Sequence, residues 1–144
     1  MQDNKKVLDS LNNGCKMAMD SIKFIIQADV NSDIKKELES EYKEYEKINK
    51  KVDKYYLKYN FNEQEIKNPS LVTKMMLFYD IKMKRAFDRS NSKVAELMLK
   101  GTNMGIIEGR KLLNNKNVDK KLNQLLNDFV VMQEKNIENL KKYL

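Results

Sequence analysis

A chain of 144 residues with a single proline and four glycines has almost no means of turning. Sheets and long loops draw on those two residues for tight backbone conformations, so a chain this poor in them is left with long helices on short links. Three of the glycines, Gly101, Gly105 and Gly109, also fall together, which leaves the rest of the chain still less punctuated. The length suits one helical-bundle domain over residues 1–144, with a core of its own. Charged residues are 34% of the chain, and its longest uncharged stretch, residues 101–107, is far too short for a membrane span.

Apolar residues recur at steps of three and four through five segments. In the first, 4–29, the stripe is Leu8, Leu11, Cys15, Ala18, Ile22 and Ile25. Met17, Asp20 and Phe24 fall on its other side, which is either contacted or open to water. A turn over 30–33 follows, where Asn31 or Ser32 is placed to cap the next helix and Asp33 complements its positive end. The second helix, 33–59, carries Ile34, Leu38, Tyr45, Ile48, Val52, Tyr55 and Tyr59, and five of the seven tyrosines lie in it. Glu41 lands in the middle of that stripe, where a carboxylate must be paired, protonated, metal-bound or close to water.

Residues 60–69 read as the one real loop, ending in Pro69. A helix over 70–89 comes next, then a break or cap at Asn91 and Ser92. Helices over 93–114 and 118–144 complete the chain. The short links predict two antiparallel pairs, and the long connection carries its own helix. This wiring is all-α: a ferritin-like antiparallel four-helix bundle with an additional helix in the crossover between main helices two and three.

The chain contains no histidine. That removes the usual general acid/base at neutral pH and the commonest metal ligand, and with them catalytic triads, His-ligated zinc and Glu-x-x-His di-iron sites. Cys15 is alone, so no intrachain disulfide forms, and the first residues lack the apolar stretch of a signal peptide. A reducing, cytoplasmic setting is the simplest expectation. The net charge is +7, but 28 basic and 21 acidic residues alternate along the chain, as they do on solvated helix faces.

Gly101, Gly105 and Gly109 recur every fourth residue inside one helix, at a cost of roughly 0.5–1 kcal/mol each relative to alanine. The spacing predicts a face that another backbone or a ligand approaches closely, within the bundle or across a dimer. Glu108 falls on the same side. Gln133 and Asn136, three apart, share the inward stripe of the last helix with Phe129, Met132 and Leu140. Oxygens from Glu41, Glu108, Gln133 and Asn136 suit a hard cation such as Mg²⁺ or Ca²⁺, but two carboxylates and two neutral amides are also what a register-setting polar network looks like. Nine methionines fit flexible core filling before they fit an adaptable peptide groove or Cu(I) ligation. Lys82, Lys84, Arg85, Arg89 and Lys93, against Asp88 alone, form a basic patch that reads as a solvated face ahead of a dock for anionic membrane or nucleic acid.

The run VAELMLKGTNMGIIEGRKLL, with GCKMAMDSI near the start, EYEKI in the second helix and NIENLKKYL at the end, resembles an uncharacterised family of ferritin-like proteins from low-GC Gram-positive bacteria, many of them endospore formers. The resemblance implies a histidine where this chain has Lys93, followed by the glutamate matching Glu96, and Glu-x-x-His where it has Gln133 and Asn136. The departures fall on metal-ligand positions. The expectation is therefore a non-catalytic bundle without a cofactor or redox metal, of structural or protein-interaction type, with a homodimer or another protein as partner.

Overall fold

The computed structural model describes residues 3–61, 89–115 and 117–144. Four α-helices make up the described residues, with no strand among them: α1 (Asn4–Gln27), α2 (Ser32–Lys58), α3 (Asn91–Asn115) and α4 (Lys120–Lys141). The helix expected over 70–89, with Lys82, Lys84 and Arg85, lies outside the described residues but for Arg89.

Local chemistry sets the helix ends. Asn31 caps α2, its side chain accepting a hydrogen bond from the Asp33 backbone N–H at 2.9 Å, and Asp33 supplies negative charge in the first turn. At the start of α3 the capping contact comes from Ser90, whose Oγ accepts from the Lys93 backbone N–H at 3.3 Å; Asn91 is already helical. The last residues of α2 turn through Asn60 in the left-handed region (φ 56°), and the Phe61 N–H returns to the Tyr56 carbonyl at 2.9 Å. This is the hydrogen-bond pattern of a Schellman ending, with asparagine in the place where glycine is commonest.

The stripes read from sequence are the buried faces. On α1, Leu8, Leu11, Cys15, Ile22 and Ile25 are buried; on α2, Ile34, Leu38, Tyr45, Ile48 and Val52. Asp20 is exposed and Phe24 is 47% exposed, so the second side of α1 faces water where Asp20 stands. Val94, Ala95, Met98 and Leu112 of α3 join Leu122, Leu126, Phe129 and Leu140 of α4 in one continuous core. Each such side chain contributes about 1.5–3 kcal/mol through burial. Phe129 meets Tyr45 edge-on at 6.1 Å and lies 3.1 Å from where a Cβ on Gly14 would stand, tying α4 to both α2 and α1.

Polar contacts fix the helix directions. The Asp119 N–H at the head of α4 donates to Asn4 Oδ1 at 3.0 Å, and the Tyr59 hydroxyl at the end of α2 donates to Asp119 Oδ2 at 2.6 Å. The start of α1, the end of α2 and the start of α4 therefore share one end of the bundle. At the other end the Tyr143 hydroxyl donates to the Asp33 carbonyl at 3.3 Å. Arg110 of α3 pairs with Glu134 of α4, and Gly105 faces Gln133 while Gly109 faces Val130, so α3 runs against α4. Helices α1 and α4 thus point one way and α2 and α3 the other. No described helix is long and apolar enough to cross a membrane.

Candidate functional site

The buried positions of α2 step through Ile34, Leu38, Glu41, Tyr45, Ile48 and Val52. That rhythm carries Glu41 into the core whatever its polarity. On α4 the same rhythm buries Phe129, Gln133, Asn136 and Leu140. Because α2 and α4 are antiparallel, with Tyr45 at Gln133 and Asp33 at Tyr143, Glu41 stands level with Asn136. Three of the residues singled out from sequence, Glu41, Gln133 and Asn136, are thus brought to adjacent levels of one helix pair.

Glu41 is completely buried and neither carboxyl oxygen accepts a hydrogen bond from a donor. Burial pushes its pKa up to about 10; the Glu37 carboxylate, one turn away and placed to accept the Glu41 proton, is the next cause, and the charges of Glu37 and Glu44 add repulsion. In the metal-free chain it is a carboxylic acid at neutral pH, so a cation bound there would first have to displace its proton. Gln133 donates from Nε2 to the Tyr45 hydroxyl at 3.4 Å and leaves its Oε1 unpartnered, while both polar atoms of Asn136 are unpartnered. Such groups cost about 1–3 kcal/mol each when buried without partners.

Glu108 is half-buried on α3. Its neighbour Gly109 faces Val130, so it lies about 8 Å along the bundle axis from the level of Asn136. The charges acting on Glu41 come from Glu37 and Glu44, on its own helix. Among the described residues, no group of three or more Cys, Asp or Glu side chains is arranged to hold a metal ion.

The glycine helix has a plain geometric reason for two of its positions. A Cβ on Gly105 would land on Gln133 Nε2, and one on Gly109 would land on Val130 Cγ2. Both glycines face α4 of the same chain, and Gly105 makes the room in which the Gln133 amide sits. Gly101 and Gly109 are buried and Gly105 is half-buried. Of the basic patch, Arg89 and Lys93 are exposed. Lys93 pairs with Glu96 at 3.3 Å, and Lys100 pairs with it from the next turn at 3.2 Å. Those two lysines, Lys100 foremost, hold the Glu96 carboxyl below its ordinary range. The position at which the resemblance implies a histidine is therefore part of a surface ion-pair chain. Burial pushes the Cys15 thiol up, which makes it a poor nucleophile. Met98 is buried and Met104 and Met132 are half-buried in the bundle.

Sequence reasoning missed a second polar cluster. Asp9, 6% exposed, accepts from the Tyr56 hydroxyl at 2.6 Å and from Lys5 Nζ at 2.9 Å. Asp9 stands one residue from Leu8 at the edge of the α1 stripe, and the wheel position of an acid beside an apolar stripe was the available signal. Comparison with protein families, with curated proteins and with solved structures finds no match to this chain.

Proposed function

We propose that the chain is a non-catalytic ferritin-like bundle of structural or protein-interaction type, working in the cytosol, in which the polar layer sets helix register and holds no redox metal. The observation that carries this reading is the position of Gln133. Its amide lies against Tyr45 of α2 on one side and in the space left by Gly105 of α3 on the other. One side chain of α4 thereby indexes two neighbouring helices, and sliding any of the three by a turn would strand it. Further support comes from the neutral state of Glu41 and the absence of histidine from the whole chain. The ferritin-like wiring is supported by the parallel directions of α2 and α3, since the end of one and the start of the other lie at opposite ends of the bundle.

The competing reading is a hard-cation site built on the unpartnered oxygens of Glu41, Gln133 and Asn136. Calorimetric titration of the full chain with Fe²⁺, Mn²⁺, Mg²⁺ and Ca²⁺ separates the two. The register reading expects no stoichiometric binding. It also expects Gln133→Leu, which removes the contact to Tyr45, to stay folded while its amide NMR spectrum splits into more than one set of resonances. Stoichiometric metal uptake, ferroxidase or peroxidase turnover, or a single sharp spectrum from folded Gln133→Leu would overturn it.

A further inference from the structure

Residues 47–58 of α2 carry Lys47, Lys50, Lys51, Lys54 and Lys58 against one acid, Asp53. Lys51, Lys54 and Lys58 recur at steps of three and four, so they form a single stripe about 10 Å long. That stripe faces Lys121 of α4 across an open groove of about 500 Å³, which Tyr55 and Asp128 also line. All four lysines are exposed, and among the described residues Lys51, Lys54 and Lys121 form no ion pair with a carboxylate. Four cations therefore converge on a space with one carboxylate, Asp128, in its wall; Asp119 acts on Lys58 from beside the groove, which leaves Lys51, Lys54 and Lys121 in excess.

Beside the lysines stands a group of aromatic rings. Tyr55 stacks on Tyr59 at 5.9 Å with an interplanar angle of 17°, and Phe61, brought back by the left-handed turn at Asn60, tilts onto Tyr59 at 5.6 Å. The Lys58 ammonium lies 5.7 Å from the Tyr55 centroid and 5.8 Å from that of Tyr59, which holds the cation at the groove edge. The Tyr59 hydroxyl is anchored on Asp119, so the ring stack is fixed from below.

We propose that this groove between the C-terminal half of α2 and the N-terminal half of α4 binds single-stranded nucleic acid, with Lys51, Lys54, Lys58 and Lys121 on successive phosphates and Tyr55 offering its ring to an unpaired base. Lysines alone would serve any polyanion. A concave basic track with an aromatic ring in its wall suits a strand whose bases are free to stack, whereas duplex DNA hides those faces and a bilayer presents a plane. The described lining of the groove includes neither Arg89 nor Lys93, and it includes no member of the polar layer in the core.

Fluorescence anisotropy with the full chain and a labelled oligothymidylate of about 15 nucleotides tests the proposal; at about 50 mM salt binding is expected, weakening as salt rises with a log–log slope of about −3 for four phosphate contacts. The surface variant Lys51→Gln, Lys54→Gln, Lys58→Gln leaves the melting temperature near that of the parent, weakens binding at least tenfold and brings the slope to about −1. Tyr55→Leu weakens binding about fivefold or more and leaves the slope unchanged. The variant Lys82→Gln, Lys84→Gln, Arg85→Gln binds as the parent does. No binding at low salt overturns the proposal. So does equal affinity for a duplex of the same length or for phosphatidylserine vesicles, full affinity in folded Tyr55→Leu, or loss of binding in the 82–85 variant.

Discussion

The bundle contains two polar groups about 20 Å apart along α2, each with a buried carboxyl group and a buried tyrosine, Asp9 with Tyr56 and Glu41 with Tyr45, and it treats them in opposite ways. Near the end where α1 begins, each Asp9 oxygen has a donor, from Tyr56 and from Lys5, and Asp119 accepts from Tyr59. That last contact holds the Asp119 carboxyl below its ordinary range, while burial and then the hydrogen bond raise the Tyr59 phenol to about 12. In the middle of the bundle Glu41 has no donor and Asn136 no partner at all. The difference shows what an acid needs in a helical core. Asp9 sits within reach of a lysine stem that leads out to water, whereas Glu41 is enclosed by Leu38, Tyr45 and the face of α4, with carboxylates as its charged neighbours.

The comparison breaks most visibly with pH. The folded-state pKa of Glu41 is raised from 4.5 to about 10, so between those values the folded chain keeps a proton that the unfolded chain has released. Stability from this residue is complete below about pH 4.5 and is lost as pH rises toward 10, at up to about 1.4 kcal/mol per pH unit. Glu41→Leu removes that slope. It is expected to exceed the parent by about 3 kcal/mol or more at pH 9, and by much less at pH 5. Urea unfolding of both proteins at pH 5, 7 and 9 gives the difference directly, and a difference that does not grow with pH would show that Glu41 ionises freely in the fold.

The matching change at the other group has the opposite sign. Asp9→Leu removes the carboxylate that accepts from the buried Tyr56 hydroxyl and from Lys5, and is expected to destabilise by about 1–3 kcal/mol in the same urea experiment. If both leucine variants stabilise, partner satisfaction is not what separates the two regions. A smaller effect sharpens the comparison within α3. Gly109→Ala drives a methyl into the stiff, branched Val130 and is expected to cost about 1–2 kcal/mol after its gain in helix propensity. Gly105→Ala meets the free end of the Gln133 side chain, which can swing, so its melting temperature should fall less while the Tyr45 contact is lost. Thermal melts of the pair, with the tyrosine absorbance as the second readout, check the order.

Much of this was legible in the spacing of residues. The rhythm that placed Leu38, Tyr45 and Ile48 on one face also put Glu41 inside, and it placed Gln133 and Asn136 on the inner side of α4. A helical stripe reports which face is turned inward but carries no information about how far two helices are offset along their axes. Hence Glu108 and Glu41 looked like companions, although Gly109 and Gln133 set them at different levels. The cap on α3 shows a similar limit: Ser90, Asn91 and Ser92 are all competent to cap, and it is Ser90 that receives the Lys93 and Val94 N–H groups. The lysine stripe over 51–58 drew no notice because half of its groove, Lys121 and Asp128, comes from a helix some seventy residues on.

The directions of the four helices also bear on how the chain assembles. Helices α1 and α2 are sequence neighbours packed on each other, as are α3 and α4, so each hairpin forms from short-range contacts at little cost in loop closure. Joining the hairpins is the step that must bring distant parts of the chain together, and the Tyr45–Gln133 contact exists only once they have joined. Two hairpins that meet a turn out of register would lose that contact, so the seam between them, rather than either hairpin alone, is where this chain's pairing is specified.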